Sequence, residues 1–482
     1  MRCRTENPAP APRAHRARRQ ALAVTLRRAT CVFFLAACAH ATTQISLLDP
    51  SFKIGPGADS TVAGLIVQAD GTILAGGEFT CIGGCSNSFL ARLHADGSVD
   101  RSYNAAGQTD GPVSQLLQQS DRKVLVSGSF RRLLGQPRLS LARLLEDGSI
   151  DPAFDAGAAI NANALIFSLA TQADGKVLVA YTGLDDSQAH IVRLNTNATP
   201  DSTFACTNQM SGYIFALLPL PDGSLLFGGN YLTVSCASGY ALFHLLSNGR
   251  LDDSFDAGLN LSSVFCLARQ TNGRILVGSL LCRVGAATGA PLFRLNPDLH
   301  WDDAFQVDAF TPASGPPYSA LYSLLIQPDG KLVGGGGFCE VGGYWRRNIV
   351  RFNTDGHVDG CFDPGLGIAE GAESGPVRTL ALQPDGHILV GGFFYWADTA
   401  YGQQHLARLL PRSDCDLVRV YLKAEDPRFA AATFPPGQTN YLELSTNLAT
   451  WQVVQTNTSP YIFYPDYSTT APRTFFRARQ VR

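Results

Sequence analysis

The stretch VQADGTILAGG (Val67–Gly77) joins two apolar runs through an Asp-Gly pair and closes on two glycines. That is a hairpin signature, because glycine in the turn reaches positive φ without steric cost. The phrase returns as QSDRKVLVSG, QADGKVLVAY, LPDGSLLFGG, QTNGRILVGS, QPDGKLVGGG and QPDGHILVGG, which makes seven copies. Their turn positions, Asp70, Asp121, Asp174, Asp222, Asn272, Asp329 and Asp385, are spaced 48 to 57 residues apart. A period near fifty suits one four-stranded propeller blade and is too long for a leucine-rich or ankyrin unit.

Working outward, the run before each turn, such as VRTLALQ (Val377–Gln383), is nearly continuous in apolar residues. Strands of that kind are buried on both faces, as they are when sheets stack. The closing glycine pair has no Cβ and lets a neighbouring backbone approach. A variable loop leads to a third strand (LARL, IVRF), a second Asp-Gly turn and a short Asp-x-x-Phe/Tyr tag. The tags are Asp49/Phe52, Asp100/Tyr103, Asp151/Phe154, Asp201/Phe204, Asp252/Phe255, Asp302/Phe305 and Asp359/Phe362. The first, LLDPSF, precedes the first hairpin, whereas the last repeat ends at HLARLLPRSD with no tag. Seven hairpins and seven tags balance if the N-terminal segment completes the last repeat. The expectation is an all-β fold: a seven-bladed β-propeller closed by its N-terminal strand, which removes exposed sheet edges.

The pattern QPDGKxLVGGxF followed by ARLNxDGSxDxxF resembles the delta-60 repeat of exported bacterial proteins, over about Ile45 to Asp414. The kelch repeat is a more distant analogue. The resemblance implies a propeller and export, and no particular reaction. Repeat two departs from it at Arg122, repeat three at VAYTG, and repeat five at Asn272 and PDLHWD. Beyond Cys415 the texture alternates apolar and polar residues and breaks at PPG. Residues 416–482 read as a small C-terminal β-sandwich-like domain, similar to the short module with STNLxxW and a closing FFRAR strand that ends many exported bacterial proteins. At this size an independent core is marginal, so docking on the propeller rim is expected.

Arginines 2, 4, 13, 16, 18, 19, 27 and 28, the apolar run CVFFLAACA and Ala39-His40-Ala41 read as a secretory signal peptide over residues 1–41. LAAC also resembles a lipobox, with Cys38 as the alternative lipid anchor. The apolar run is too short for a membrane span. The propeller then occupies 42–415, and the protein is expected to be secreted or associated with the cell envelope. With 482 residues, 16% charged and a formal charge of −2, the chain offers no basic surface for nucleic acid. Nine cysteines follow the leader, and in an exported chain Cys81 with Cys85 and Cys266 with Cys282 are the first disulfides to expect. No Cys-x-x-Cys spacing calls for zinc.

The turn aspartates read as structural rather than as a cation ring, since Asn272 replaces one of them. No calcium-loop spacing occurs. The third-strand cations Arg92, Arg143, Arg193, His244, Arg294, Arg351 and Arg408 could form a basic ring, but pairing of each with a tag aspartate is the expected role. No Gly-x-Ser-x-Gly elbow, His-Glu-x-x-His helix or phosphate loop is present, so no catalytic residue, metal or cofactor is assigned. The loops CEVGGYWRRN and FFYWADTAYGQQ place Tyr344, Trp345, Arg346, Arg347, Tyr395, Trp396 and Tyr401 at corresponding points of adjacent repeats. Aromatic faces with Arg donors suit sugar stacking or a protein hot spot, or else they cover the rim or dock the C-terminal domain. The functional expectation is a binding scaffold for a glycan or envelope protein. The alternative is a propeller-type carbohydrate-active hydrolase or lyase with carboxylates assembled across blades.

Overall fold

Seven copies of one three-stranded antiparallel sheet recur among the described residues. The computed structural model describes residues 47–104, 109–157, 159–160, 164–234, 241–258, 261–280, 290–311, 319–362, 364, 375–395 and 404–411, and the C-terminal strands. In the first sheet the hairpin joins the inner strand Val62–Val67 to the middle strand Ile73–Gly77, and Leu90–Leu93 adds on the far side. The other inner strands are Val113–Gln118, Ala164–Thr171, Met210–Pro219, Val264–Arg269, Ala320–Ile326 and Val377–Leu382. Each packs beside the next, and Val377–Leu382 packs beside Val62–Val67 as well.

Among the described residues there is no single central core. Seven apolar clusters of described residues lie between successive pairs of sheets, which is why the first five residues of every middle strand are buried. One cluster joins the seventh sheet to the first through Phe52, Ile54, Val62, Leu389 and Leu406, and another takes Leu47 and Leu48 between the sixth and seventh. Fully burying each such side chain contributes about 1.5–3 kcal/mol.

The glycine pair has two separate jobs. A Cβ on Gly76 would stand 2.5 Å from Cγ1 of Val113 in the next sheet, and one on Gly391 would stand 2.9 Å from Val62 Cγ1. A Cβ on the second glycine, at Gly77 or Gly336, would strike the carbonyl of Thr61 or Ala320 on the partner strand. That close approach accompanies a β-bulge present at one register in all seven inner strands. The extra residues are Ala63, Ser114, Phe167, Phe215, Phe265, Tyr322 and Arg378.

The expected fourth strand is reduced to one antiparallel bridge per repeat, as at Leu144 with Ile150 and Phe352 with Val358. The tag aspartate explains this. Its Oδ1 accepts the N–H two residues on (Ser51, Ser102, Ala153, Thr203), bending the chain before a strand can extend. The seventh sheet receives its bridge from the N-terminal segment, Leu48 to Leu409.

The chain divides into two compact units, one spanning 46–417 with 434–436, the other holding residues 1–45, 418–433 and 437–482. In the latter, Arg419–Leu422 pairs with Ala430–Thr433, and Asn440–Ser445 lies between Gln452–Asn457 and Phe475–Gln480. No helix among the described residues is long and apolar enough to cross a membrane.

The two expected disulfides are corrected. Cys81 faces Ser86 and Cys85 faces Ile82 across a short hairpin, so the thiols are diagonal neighbours and both are free. Cys266 is free too, its Sγ directed at the Leu321 carbonyl, 3.7 Å away, and Cys282 lies outside the described residues. Cys361 is disulfide-bonded.

Candidate functional site

The cations of the third strand build one repeated node. Arg143 Nε donates to Asp151 Oδ2 at 2.9 Å, and the same pair forms at Arg92–Asp100, Arg193–Asp201, Arg294–Asp302 and Arg351–Asp359. In the fourth repeat His244 Nδ1 is 2.9 Å from Asp252, and Nε2 is 2.9 Å from the Ser224 hydroxyl. Each guanidinium lies over the aromatic ring of its own tag, 4.4 Å from the centroid at Arg143 and Phe154. Several then reach the following repeat, where Arg143 Nη1 donates to Thr196 O, Arg193 Nη1 to Ser247 O and Arg294 Nη1 to Thr354 O. These arginines are therefore consumed in structure, as expected, and do not form a ring for anions.

Burial is the largest single influence on Asp100 and pushes it up. Hydrogen bonds from Ser102 and Arg92 outweigh it, and the carboxyl settles at about 2. Asp49, Asp151, Asp201 and Asp359 are held below the ordinary carboxylate value by the same balance.

The turn carboxylates are equally occupied. Oδ1 of Asp70, Asp174, Asp222, Asp329 and Asp385 accepts the N–H two residues on, and the Asn272 amide oxygen does the same for Arg274. An uncharged group serves as well as a charged one, so turn geometry accounts for the column. Among the described residues, no group of three His, Cys, Asp or Glu side chains could hold a metal. A cavity of about 450 Å³ sits where turns converge, bounded by Gln68, Gln119, Pro328 and Gln383 from the first, second, sixth and seventh repeats.

The loop chosen from sequence in the sixth repeat is a hairpin, Glu340–Val341 against Tyr344–Trp345, turning through Gly342 and Gly343 at φ 59° and 80°. Two positive φ values make it a primed turn of the kind that matches strand twist. Repeats one and two carry the same hairpin, at Cys81–Ser86 and Arg132–Pro137. Its four chosen side chains divide by face. Tyr344 is 5% and Arg346 2% exposed. The Arg346 guanidinium lies 4.9 Å from the Tyr344 ring and donates to the carbonyls of Trp345 and Gly360. Burial pushes the Tyr344 phenol up to about 12. These two side chains are buried and hold the hairpin. Trp345 is 47% exposed, and the Arg347 guanidinium sits 5.5 Å from its ring centroid. Where Trp345 stands, the first and second repeats have Ser86 and Pro137. Tyr395 ends the middle strand of the seventh sheet. Its side chain, and Trp396 and Tyr401, lie outside the described residues.

The sequence reasoning missed the bulged residues of the inner strands. Their signal is the second column of the repeated VAGL, VSQL, IFSL, IFAL, VFCL, LYSL and VRTL, where small, aromatic and cationic residues alternate in a constant frame. A bulge re-aims one side chain away from the ladder, and such features concentrate beside binding sites.

The sequence model of a family described as a domain of unknown function (DUF5122) beta-propeller matches residues 68–103, 119–154, 172–204, 327–362 and 383–413. Each match starts at a hairpin, and those of repeats one, two, three and six end on a tag. No curated protein matches the chain. Similar solved structures include the WD40 β-propeller domain of Doa1, at 12% identity and TM-score 0.45, covering 73% of this chain and 93% of that one. The extracellular domain of a putative one-component system from B. thetaiotaomicron is 12% identical with TM-score 0.32, over 84% of this chain and 64% of that one. A gluconolactonase from Xanthomonas campestris is 14% identical with TM-score 0.37, over 76% and 98%.

Proposed function

We propose that this repeat β-propeller protein is an exported seven-bladed binding scaffold, closed by its N-terminal strand, that recognises a glycan or an envelope protein through loops of one face. Closure is supported by three contacts between the chain's ends: the Leu48–Leu409 bridge, the Asp49–Arg408 ion pair and the packing of Gly391 on Val62. Export rests on the leader and on the delta-60 resemblance.

The observation that carries the binding role is Trp345 with Arg347. A hairpin frame that repeats three times presents an exposed indole with a cation over it in one repeat only, and repetition of the frame without the aromatic marks the aromatic as dispensable for folding. Exposed aromatic and Arg pairs are the common anchors of recognition surfaces. The test is glycan and envelope-protein retention by the chain lacking residues 1–41, against Trp345→Ala and Arg347→Gln, with hydrolysis of each retained glycan measured alongside. Retention lost in Trp345→Ala, without turnover in either form, supports the scaffold. Turnover abolished by a carboxylate substitution would replace it with the enzyme.

A further inference from the structure

The bulged side chains of five successive inner strands touch one another. Phe167 meets Phe215 edge-on, with centroids 5.6 Å apart and planes at 90°. Phe215 meets Phe265 at 5.6 Å and 36°, and Phe265 meets Tyr322 at 4.8 Å and 61°. The Arg378 guanidinium then lies 4.9 Å from the Tyr322 centroid. Tyr213, 41% exposed, widens the track beside Phe167 and Phe215. The same register holds Ala63 and Ser114 in the first and second sheets, so the aromatic wall covers one side and the other is left open. All four bulged rings keep part of their surface in solvent, and Arg378 is exposed. Among the described residues no carboxylate meets this guanidinium, unlike the seven third-strand cations, each of which has one.

We propose that this track binds an acidic oligosaccharide, with pyranose C–H faces lying on the rings and a carboxylate held by Arg378. The four bulged rings are mutually inclined and already in contact, so they leave no parallel slot between them for an inserted base or other flat heterocycle. The ligand must lie along the wall. A chain of −2 formal charge has no field with which to track phosphates, which disfavours a nucleic acid strand. A sugar chain offers an apolar face at each residue, and a uronate adds the anion that an unneutralised guanidinium takes through two parallel hydrogen bonds. The proposal concerns the inner strands and does not depend on the Trp345 loop.

The experiment is isothermal titration of the full chain with tetragalacturonate and, as neutral comparator, maltotetraose. The acidic ligand should bind at least about tenfold more tightly, which is about 1.4 kcal/mol. Arg378→Gln should bring the two affinities together, and added salt should do the same in part. Phe265→Leu should weaken both ligands by about tenfold at an unchanged denaturation midpoint. Absence of binding at millimolar concentration, or indifference of the acidic ligand to Arg378→Gln, overturns the proposal. Displacement of tetragalacturonate by an acidic peptide at lower concentration would assign the track to a protein partner instead.

Discussion

Arg408 Nε and the Asp49 carboxylate lie 2.7 Å apart although 359 positions separate them in the chain. The same guanidinium sits 4.7 Å from the Phe52 ring and donates to the Ala95 carbonyl of the first sheet at 2.7 Å. In every other repeat the corresponding contacts to aspartate and aromatic ring are made eight to eleven residues away, within one unit. Here the N-terminal tag does what a tag at the end of the seventh repeat would have done.

If that equivalence is energetic as well as geometric, Arg408→Met and Arg143→Met should cost alike. Removing one partner of a buried ion pair costs about 3–5 kcal/mol, because the remaining charge is stranded. Urea denaturation of the two variants measures this. A loss below about 1 kcal/mol for Arg408→Met, beside a full loss for Arg143→Met, would show that the terminal segment is not clamped.

Acid should unfold the protein through the tag carboxylates. Asp100 stands at about 2, and Asp49, Asp151, Asp201, Asp252 and Asp359 are also lowered, all by hydrogen bonds and nearby cations prevailing over burial. A carboxyl depressed in the folded state stabilises fully above its unfolded value near 3.9, and that contribution disappears as pH falls toward the folded value. His405, pushed down by burial, adds a separate single-proton decline beginning near its unfolded value of about 6.5. The denaturation midpoint should therefore drop steeply between about pH 4 and pH 2. A midpoint level across that interval contradicts the assignment.

The hairpins, the tags and the arginine–aspartate partnership were legible because each rests on a fixed residue type at a fixed offset. The bulges were not, since one extra residue in a Val-x-x-Leu run leaves the apolar content of the strand unchanged. Only comparison across the repeats exposes the variable column that holds Phe167, Phe215, Phe265, Tyr322 and Arg378. The burial of Tyr344 and Arg346 was hidden for a related reason. In a hairpin with two-residue arms the exposed face alternates at each position, so Trp345 faces solvent while both its neighbours are buried. Cys81 and Cys85 were expected to pair from their proximity in CIGGC, but they stand on facing arms of a short hairpin whose register sets them diagonally.

Gly336→Ala should be more costly than Gly84→Ala. A Cβ at Gly336 meets the Ala320 carbonyl, a backbone group with no rotamer to escape into, whereas nothing stands within 4 Å of one at Gly84. Gly84 has a positive φ of 74°, so its substitution still carries the roughly 1–2 kcal/mol of a left-handed L-residue. Forced overpacking costs about 1–3 kcal/mol and displaces the strand pair besides, so Gly336→Ala should also disturb the Tyr322 bulge beside it. Tyr322 fluorescence, isolated by comparison with Tyr322→Phe, reads that displacement. Equal stability of the two alanine variants would remove the close approach as the reason for the glycine.

The free thiols supply the remaining test. Burial pushes Cys266 up to about 12, while Cys81 and Cys85 are half-buried on an outer hairpin. Alkylation requires thiolate, and its rate follows thiolate fraction and access. In native protein iodoacetamide should modify Cys81 and Cys85 within minutes to hours and leave Cys266 unmodified until denaturant is added, as peptide mass mapping will show. Protection of Cys81 and Cys85 that is lifted only by a reductant would mean that they pair after all. Rapid native labelling of Cys266 would mean that the fifth inner strand opens, which its packing between Gly278 and Leu321 forbids.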